Sequence, residues 1–239
     1  MLTPSSTTMP LQKKKSKSTT IVACCLVLLI LLVGSCEQDV YDKGDGTYSY
    51  MRAEFVEAFV GSDCNVNYVV TDDGQRLNLT TPVNKTWIQK ADTVYRAVLY
   101  YNNYGGTTVE PIGLSRISTL SVKRDAIVAQ GLKTDPLDVE SIWLSPNKKY
   151  LNLGLLLKTG NITEGQQIQT IAIVLSDVKV YKDSTRTSDL LLSHWQGDVP
   201  QYYTQRAYLS LSLADMLSDT INIRVNTNKG IITRKFYIK

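Results

Sequence analysis

Two-residue alternation constrains this chain more than any other feature. Leu151, Leu153, Leu155 and Leu157 recur at every second position, and Ile221, Ile223 and Val225 alternate with Asn222, Arg224 and Asn226. Side chains at i and i+2 share one face of a pleated strand, so this pattern buries one face and wets the other only as β-sheet. The pattern recurs from residue 47 to the last residue, with turn residues between the runs. Past residue 131 no convincing helical candidate is longer than Ala214–Leu217. An all-β fold follows.

The runs divide into two groups. Tyr48 to Val60 alternates imperfectly and, taken alone, also suits a helix through Met51, Phe55 and Ala58. Val66–Thr71 and Gln75–Leu79 flank Asp72-Asp73-Gly74, where glycine supplies the positive φ of a tight hairpin. Thr93–Tyr104 is a long strand with Tyr95, Ala97, Leu99 and Tyr101 on one face and Arg96 and Asn102 on the other. Gly105-Gly106 then turns the chain into Thr107–Val109 and, past Pro111, into Ile117–Val122. Five strands in this space predict an OB-like five-stranded barrel over residues 47–130. Lys133–Asp138, with Pro136, reads as a linker. Beyond it seven runs (Val139–Leu144, Tyr150–Leu157, Gln167–Val178, Asp189–Trp195, Ala207–Leu213, Ile221–Asn226 and Ile231–Ile238) predict an immunoglobulin-like β-sandwich over 131–239.

The amino end is built differently. Lys13, Lys14, Lys15 and Lys17 are the only charged side chains before residue 36, and they account for the whole formal net charge of +4. The rest of the chain is neutral, which removes the compositional case for a nucleic-acid partner. Ile21–Val33 carries no charge. As a helix it spans about 20 Å, short of the roughly 30 Å of a bilayer core, so it reads as an export signal over 1–35. Val33-Gly34-Ser35-Cys36 resembles the lipobox of bacterial lipoproteins, in which the cysteine is acylated and becomes the first mature residue. Ile21-Val22-Ala23-Cys24 has the same form but lies at the start of the apolar run, with no hydrophobic segment upstream. Cys36 is therefore the expected lipidation site and membrane anchor. Residues 36–46 form an acidic tether whose composition resembles the surface-export signal of Bacteroidetes lipoproteins. Cys24 and Cys25 leave with the signal and Cys36 is acylated, so Cys64 remains as a lone thiol and no intramolecular disulfide can form.

Taken together, the chain resembles the NigD-like lipoproteins of Bacteroidetes. The matching features are Cys36, the Tyr48–Glu57 strand, the Asp72-Asp73-Gly74 hairpin, Trp143 with Tyr150-Leu151-Asn152-Leu153, and His194 with Gly197-Asp198. The resemblance implies a signal and lipobox, an OB-type domain and a β-sandwich, in an outer-membrane, lipid-anchored protein of the cell envelope, with surface exposure as one expectation. It implies no catalytic activity. Asp92-Thr93-Val94, Asp183-Ser184-Thr185 and Asp219-Thr220-Ile221 resemble the O-glycosylation pattern of exported proteins from that phylum, and Asp183–Thr187 is the most loop-like.

Chemistry is sparse. His194 is the only histidine, and it is expected to end a strand and hydrogen-bond to Asp198 rather than to activate Ser193 or Cys64. One histidine and one thiol leave a zinc site short of ligands, and Asp42, Asp45 and their glycines lack the oxygens of a calcium loop. No phosphate-binding glycine pattern is present, so no cofactor or metal is expected. Tyrosine, with 14 copies against 3 of phenylalanine, is the suggestive residue. Tyr95, Tyr100, Tyr101 and Tyr104 are candidate ligand-binding side chains, since a phenol offers a flat apolar face and a hydroxyl to a sugar or peptide. Three functions compete: a non-enzymatic envelope lipoprotein binding a protein or glycan, an assembly or bacteriocin-associated protective subunit, and a glycan hydrolase using a carboxylate pair.

Overall fold

The computed structural model describes residues 46, 49–124 and 131–239. Among these residues there is no helix, and fourteen strands build the molecule. The expected lipidation site Cys36, and with it the signal and most of the tether, lie outside the described residues.

Five strands close a barrel: β1 (Met51–Val60), β2 (Val66–Thr71), β3 (Arg76–Val83), β4 (Val94–Asn102) and β5 (Thr108–Arg116), in the order β1-β2-β3-β5-β4. All neighbours are antiparallel except β3 and β5, which is the connectivity of an OB barrel. The ambiguous Tyr48–Val60 run is strand from Met51 on, because its inward positions Val56, Ala58 and Val60 meet Ala97, Leu99 and Val69 in the barrel core. The β2–β3 hairpin turns as its sequence requires, with Gly74 at φ 90° and Gly74 N–H donating to the Thr71 carbonyl at 3.0 Å.

The fifth barrel strand differs from the expected one. Ile117–Val122 does not close the barrel; Thr108–Arg116 does, running straight through Pro111. Proline is tolerated because β5 pairs with β3 only at Thr108 and Val109, so beyond them one edge of β5 is open. A bulge at Ile112 of β5, between the Tyr100–Gly113 and Tyr101–Pro111 pairs, accommodates the ring on the β4 side. The next residues leave the barrel altogether: β6 (Ser118–Leu120) and β7 (Val122–Lys123) each join a sheet of the sandwich.

That sandwich consists of two mixed sheets. One has the order β14-β13-β11-β10-β7, from β10 (Thr170–Val180), β11 (Arg186–Trp195), β13 (Thr220–Thr227) and β14 (Gly230–Tyr237). The other is β6-β12-β9-β8, from β8 (Asp138–Leu144), β9 (Tyr150–Thr159) and β12 (Tyr203–Ser212). Leu151, Leu153, Leu155, Ile173, Leu190, Leu192, Ile221 and Ile223 fill the space between them and are all essentially inaccessible. The predicted linker is pinned down rather than loose. Thr134 bridges His194, and Leu137 enters the core at 3% exposure.

Candidate functional site

Barrel and sandwich meet along a seam that buries the side chains facing away from both cores. On β4 the alternation that sends Ala97, Leu99 and Tyr101 inward sends Arg96 outward, yet Arg96 is only 4% exposed. Its guanidinium grips Asp72 of the β2–β3 hairpin through Nη1–Oδ1 and Nη2–Oδ2 contacts of 2.6 Å each. It also donates from Nε to Ser210 Oγ on β12 at 3.2 Å and from Nη2 to Asn152 Oδ1 on β9 at 3.2 Å. Tyr150 stacks under the cation at 4.1 Å and donates its hydroxyl to Glu57 at 2.9 Å, while Lys149 holds the other oxygen of Glu57. Phe55 meets Trp143 and Tyr208 edge-on. Asn152 and Ser210 are polar, fully buried and bonded to each other at 2.7 Å, so every group at the centre of the seam has a partner. The Asp72 hairpin and the Trp143, Tyr150 and Asn152 positions, singled out in the sequence as family features, make this joint.

The four candidate tyrosines are not brought together. Tyr101 points into the barrel at 2% exposure and donates to Glu54 at 2.9 Å; burial first, then that carboxylate, pushes its phenol up to about 12. Tyr95 is half-buried, edge-on to Trp87 at 5.5 Å. Tyr100 lies on the opposite face of β4, against Gly113 of β5. Tyr104 is 67% exposed beyond the end of β4, with its ring 5.3 Å from that of Tyr50. Strand alternation separates neighbours such as Tyr100 and Tyr101 onto opposite faces.

A different aromatic strip does form. Phe59 on β1 and Tyr68 on β2 are cross-strand partners whose rings stack at 4.8 Å and 14°. The guanidinium of Arg76 covers the other face of Tyr68 at 3.7 Å, and Val94 of β4, 48% exposed, flanks Phe59 in register. The strip borders a hollow of about 360 Å³ lined also by Asn67, Asp92 and Thr93. These residues sit on rigid strands of a closed barrel, on the outer side of a fold that commonly presents its second and third strands to ligands. Sequence reading missed the strip because Phe59 and Tyr68 are isolated in the chain. The Asp-Asp-Gly turn fixes the β2–β3 register but says nothing of how β1 pairs with β2.

His194 is buried and takes partners other than the expected one. Its Nδ1 faces the Asp135 carbonyl at 2.9 Å and its Nε2 the side-chain amide of Gln169 at 2.8 Å. This arrangement fits a neutral ring that donates through Nδ1 and accepts at Nε2. Asp198 instead accepts from the Gln167 amide at 2.8 Å. Asp198 lies past Gly197, where the chain folds back on Gln167, so its carboxylate closes that turn. Cys64 occupies the β1–β2 turn at φ 60° and its carbonyl accepts from Asn84. Among the described residues no cluster of His, Cys, Asp and Glu could hold a metal ion. Of the three Asp-Ser/Thr triplets, Ser184 is exposed at the tip of the β10–β11 hairpin, Thr93 is half-buried and Thr220 is buried.

A closed five-stranded barrel joined through a buried polar seam to a nine-stranded sandwich defines a two-lobed, all-β class of protein. No family model matches the chain, and no curated protein matches it either. Among solved structures it is similar to a NigD-like immunity protein from Bacteroides caccae, with 26% identity and a TM-score of 0.57 over 78% of this chain and 96% of that one. The NigD-like resemblance read from the sequence is thereby borne out. A protein from Parabacteroides distasonis, provisionally described as toxin-related, shares the fold at 18% identity and a TM-score of 0.59, over 78% of this chain and 92% of that one. A provisionally named lipoprotein from Bacteroides fragilis does so at 14% and 0.55, over 79% of this chain and 98% of that one.

Proposed function

We propose that the chain is a non-enzymatic lipoprotein of the cell envelope, held in the outer membrane through acylated Cys36, that binds a protein partner with the outer face of its barrel. The observation that carries this reading is the Arg76–Tyr68–Phe59 stack beside exposed Val94. Aromatic and arginine side chains presented on a rigid surface are the composition of binding hot spots. The geometry favours protein over glycan at this strip. Both faces of Tyr68 are already covered, so its ring edge is what a partner would meet, and a sugar ring needs an open aromatic face. The fold shared with a provisionally named lipoprotein agrees with an envelope location.

The name of the Bacteroides caccae relative, an immunity protein, favours a protective role as a second reading. Carried over to this chain, the partner would be a toxin. Loss of the gene would then raise sensitivity to that toxin, and unchanged sensitivity would remove this second reading while leaving the first.

The test has two arms. Cells fed radiolabelled palmitate should label the chain, and Cys36→Ala should abolish the label; label that survives this change overturns the anchor. A photo-crosslinking residue placed at Val94 in intact cells should give a discrete protein adduct that is lost with Tyr68→Ala. The same probe at Ile231, exposed on the far sheet, should give none. Equal adducts at both positions, or none at Val94, overturn the barrel as the binding face.

A further inference from the structure

The outward face of the larger sandwich sheet carries a second concavity with different chemistry. It is a hollow of about 330 Å³ lined by Ser176, Asp177, Asp189, Asn222, Arg224 and Thr233, with Leu190 at its floor. Four neighbouring strands, β10, β11, β13 and β14, contribute to it, so its walls are held by ladder hydrogen bonds rather than by loops. Ile221 and Ile223 turn into the core, which sends Asn222 and Arg224 outward on the same strand. A register shift between Leu175 and Asp177 leaves Ser176 as the extra residue of a bulge, and its hydroxyl is tied to the Asp189 carbonyl at 2.8 Å. Bulges of this kind re-aim neighbouring side chains. Here Asp177 stands opposite Asp189 in register.

The polar groups are fixed in orientation but not used up. Asp189 accepts from Asn222 Nδ2 at 2.7 Å through one oxygen and from Lys179 Nζ at 2.6 Å through the other. Each of its oxygens keeps a further lone pair, and Asn222 keeps its amide oxygen and one N–H. Among the described residues the Arg224 guanidinium makes no hydrogen bond or ion pair, although its positive charge helps hold Asp189 ionised. Donors and acceptors are therefore mixed in the lining, where Asp177 and Asp189 face Arg224, and Lys179, bonded to Asp189 from just outside the lining, balances the remaining charge. An anion such as phosphate would meet two carboxylates, and a cation would meet the free guanidinium of Arg224 beside an Asp189 already paired with Lys179. A zwitterion fits less well, because Asp177 already accepts from the Val178 amide and lies 4.0 Å from Lys179. Hydroxyl groups, each at once donor and acceptor, suit this mixed lining best.

We propose that this hollow binds a neutral sugar of about one or two rings, and holds it without cleaving it. Its size is at the lower end of the roughly 300–1,000 Å³ of small-molecule sites. Two facing carboxylates invite comparison with a glycosidase, but that chemistry needs one carboxyl kept protonated as the acid. Lys179 foremost, then Asn222, lowers the Asp189 carboxyl, so it is not that acid, and Asp177 lies open to solvent 4.0 Å from Lys179 rather than in the apolar pocket such an acid occupies. The site is separate from the barrel strip, so each can fail without the other.

The experiment titrates the full chain, kept in a polyoxyethylene detergent that lacks sugar headgroups. Ligands are glucose, galactose, mannose, N-acetylglucosamine, lactose and cellobiose, with glycine and inorganic phosphate as alternatives, followed by saturation-transfer NMR and calorimetry. At least one sugar should bind with a Kd in the millimolar range, and Arg224→Ala and Asn222→Ala should each weaken it by about tenfold or more. Arg224 faces solvent, so its variant should unfold at nearly the wild-type midpoint; it keeps the test valid if Asn222→Ala folds poorly. Phe59→Ala should leave sugar binding unchanged. Sugar affinity that survives Arg224→Ala, glycine or phosphate binding in place of every sugar, or no sugar binding at all overturns the assignment. Release of monosaccharide from lactose or cellobiose overturns the claim that the site only binds.

Discussion

Arg96 and Asp72 form a two-pronged ion pair, both contacts 2.6 Å, in which the arginine side chain is 1% and the aspartate side chain 11% exposed. The pair sits between the lobes and is walled by Tyr150, Asn152 and Ser210. Taking two charges out of water is costly, and good geometry with supplementary hydrogen bonds is what offsets that cost. Removing one partner strands the other.

Arg96→Met should therefore destabilise the chain by about 3–5 kcal/mol, because Asp72 is left buried without its counter-charge. The double variant Arg96→Met/Asp72→Leu should be less damaging than that single one. Urea unfolding followed by tryptophan fluorescence reads both, since Trp143 lies against Phe55 at the same seam. A single variant costing under about 1 kcal/mol would mean the seam is open to water.

Two phenols set the alkaline limit. Tyr101 and Tyr150 are both pushed from an ordinary 10.0 up to about 12, by burial first and then by Glu54 and Glu57 respectively. In the unfolded chain these phenols lose their protons near pH 10, while the folded chain keeps them until about 12. The folded state therefore binds more protons in that window. Its stability from this source is complete below pH 10 and declines as pH rises from 10 to about 12. Urea midpoints across the window should fall for the wild type and fall less steeply for Tyr101→Phe/Tyr150→Phe. Identical slopes would show that the two hydroxyls are in contact with solvent.

How much of this was legible beforehand depends on which interaction decides each element. Alternation within single strands is local, so the Leu151–Leu157 face, the Ile221–Val225 face and the split of Tyr101 from Arg96 could all be read from spacing. The fate of Ile117–Val122 could not. It is an acceptable barrel strand by pattern, but its short segments pair with β12 and β10, strands more than fifty residues further along. The same limit hid the seam. Arg96, Asn152 and Ser210 look like ordinary wet-face residues until the two lobes are packed, because only contacts between distant segments dry them. Tyr95, Tyr100, Tyr101 and Tyr104 are neighbours in sequence only, whereas Phe59, Tyr68 and Arg76 are neighbours by register, which the sequence does not display.

His194 should prove a structural residue. Its ring bridges the Asp135 carbonyl and the Gln169 amide, which ties the segment before β8 to the end of β11. His194→Ala leaves both half-buried groups without that partner, although the Gln169 amide keeps its bond to Gln196, and should cost about 1–3 kcal/mol. Binding at Val94 or in the Arg224 hollow should be unaffected at temperatures where the variant is folded. Loss of either binding function with stability intact would place the imidazole in a ligand site instead.

Two glycines separate conformational strain from crowding. Gly74 and Gly197 both have positive φ, 90° and 60°. A methyl group added at Gly74 would meet nothing within 4 Å, so Gly74→Ala is charged only for its backbone conformation. At Gly197 the same methyl would lie 2.5 Å from the Gln167 carbonyl oxygen and 3.0 Å from that of Ile168. Neither oxygen can swing aside, since both belong to the main chain leading into β10, and the Asp198 amide donates to the nearer one at 2.9 Å. Gly74→Ala should then cost about 1–2 kcal/mol and Gly197→Ala clearly more, with the excess measuring displacement of the Gln167–Ile168 backbone. Thermal and urea unfolding of the two variants side by side provides the comparison. Equal losses would mean that the turn at Gly197 relaxes freely, and that the packing of the β11–β12 connection against the start of β10 contributes little to holding the sheet together.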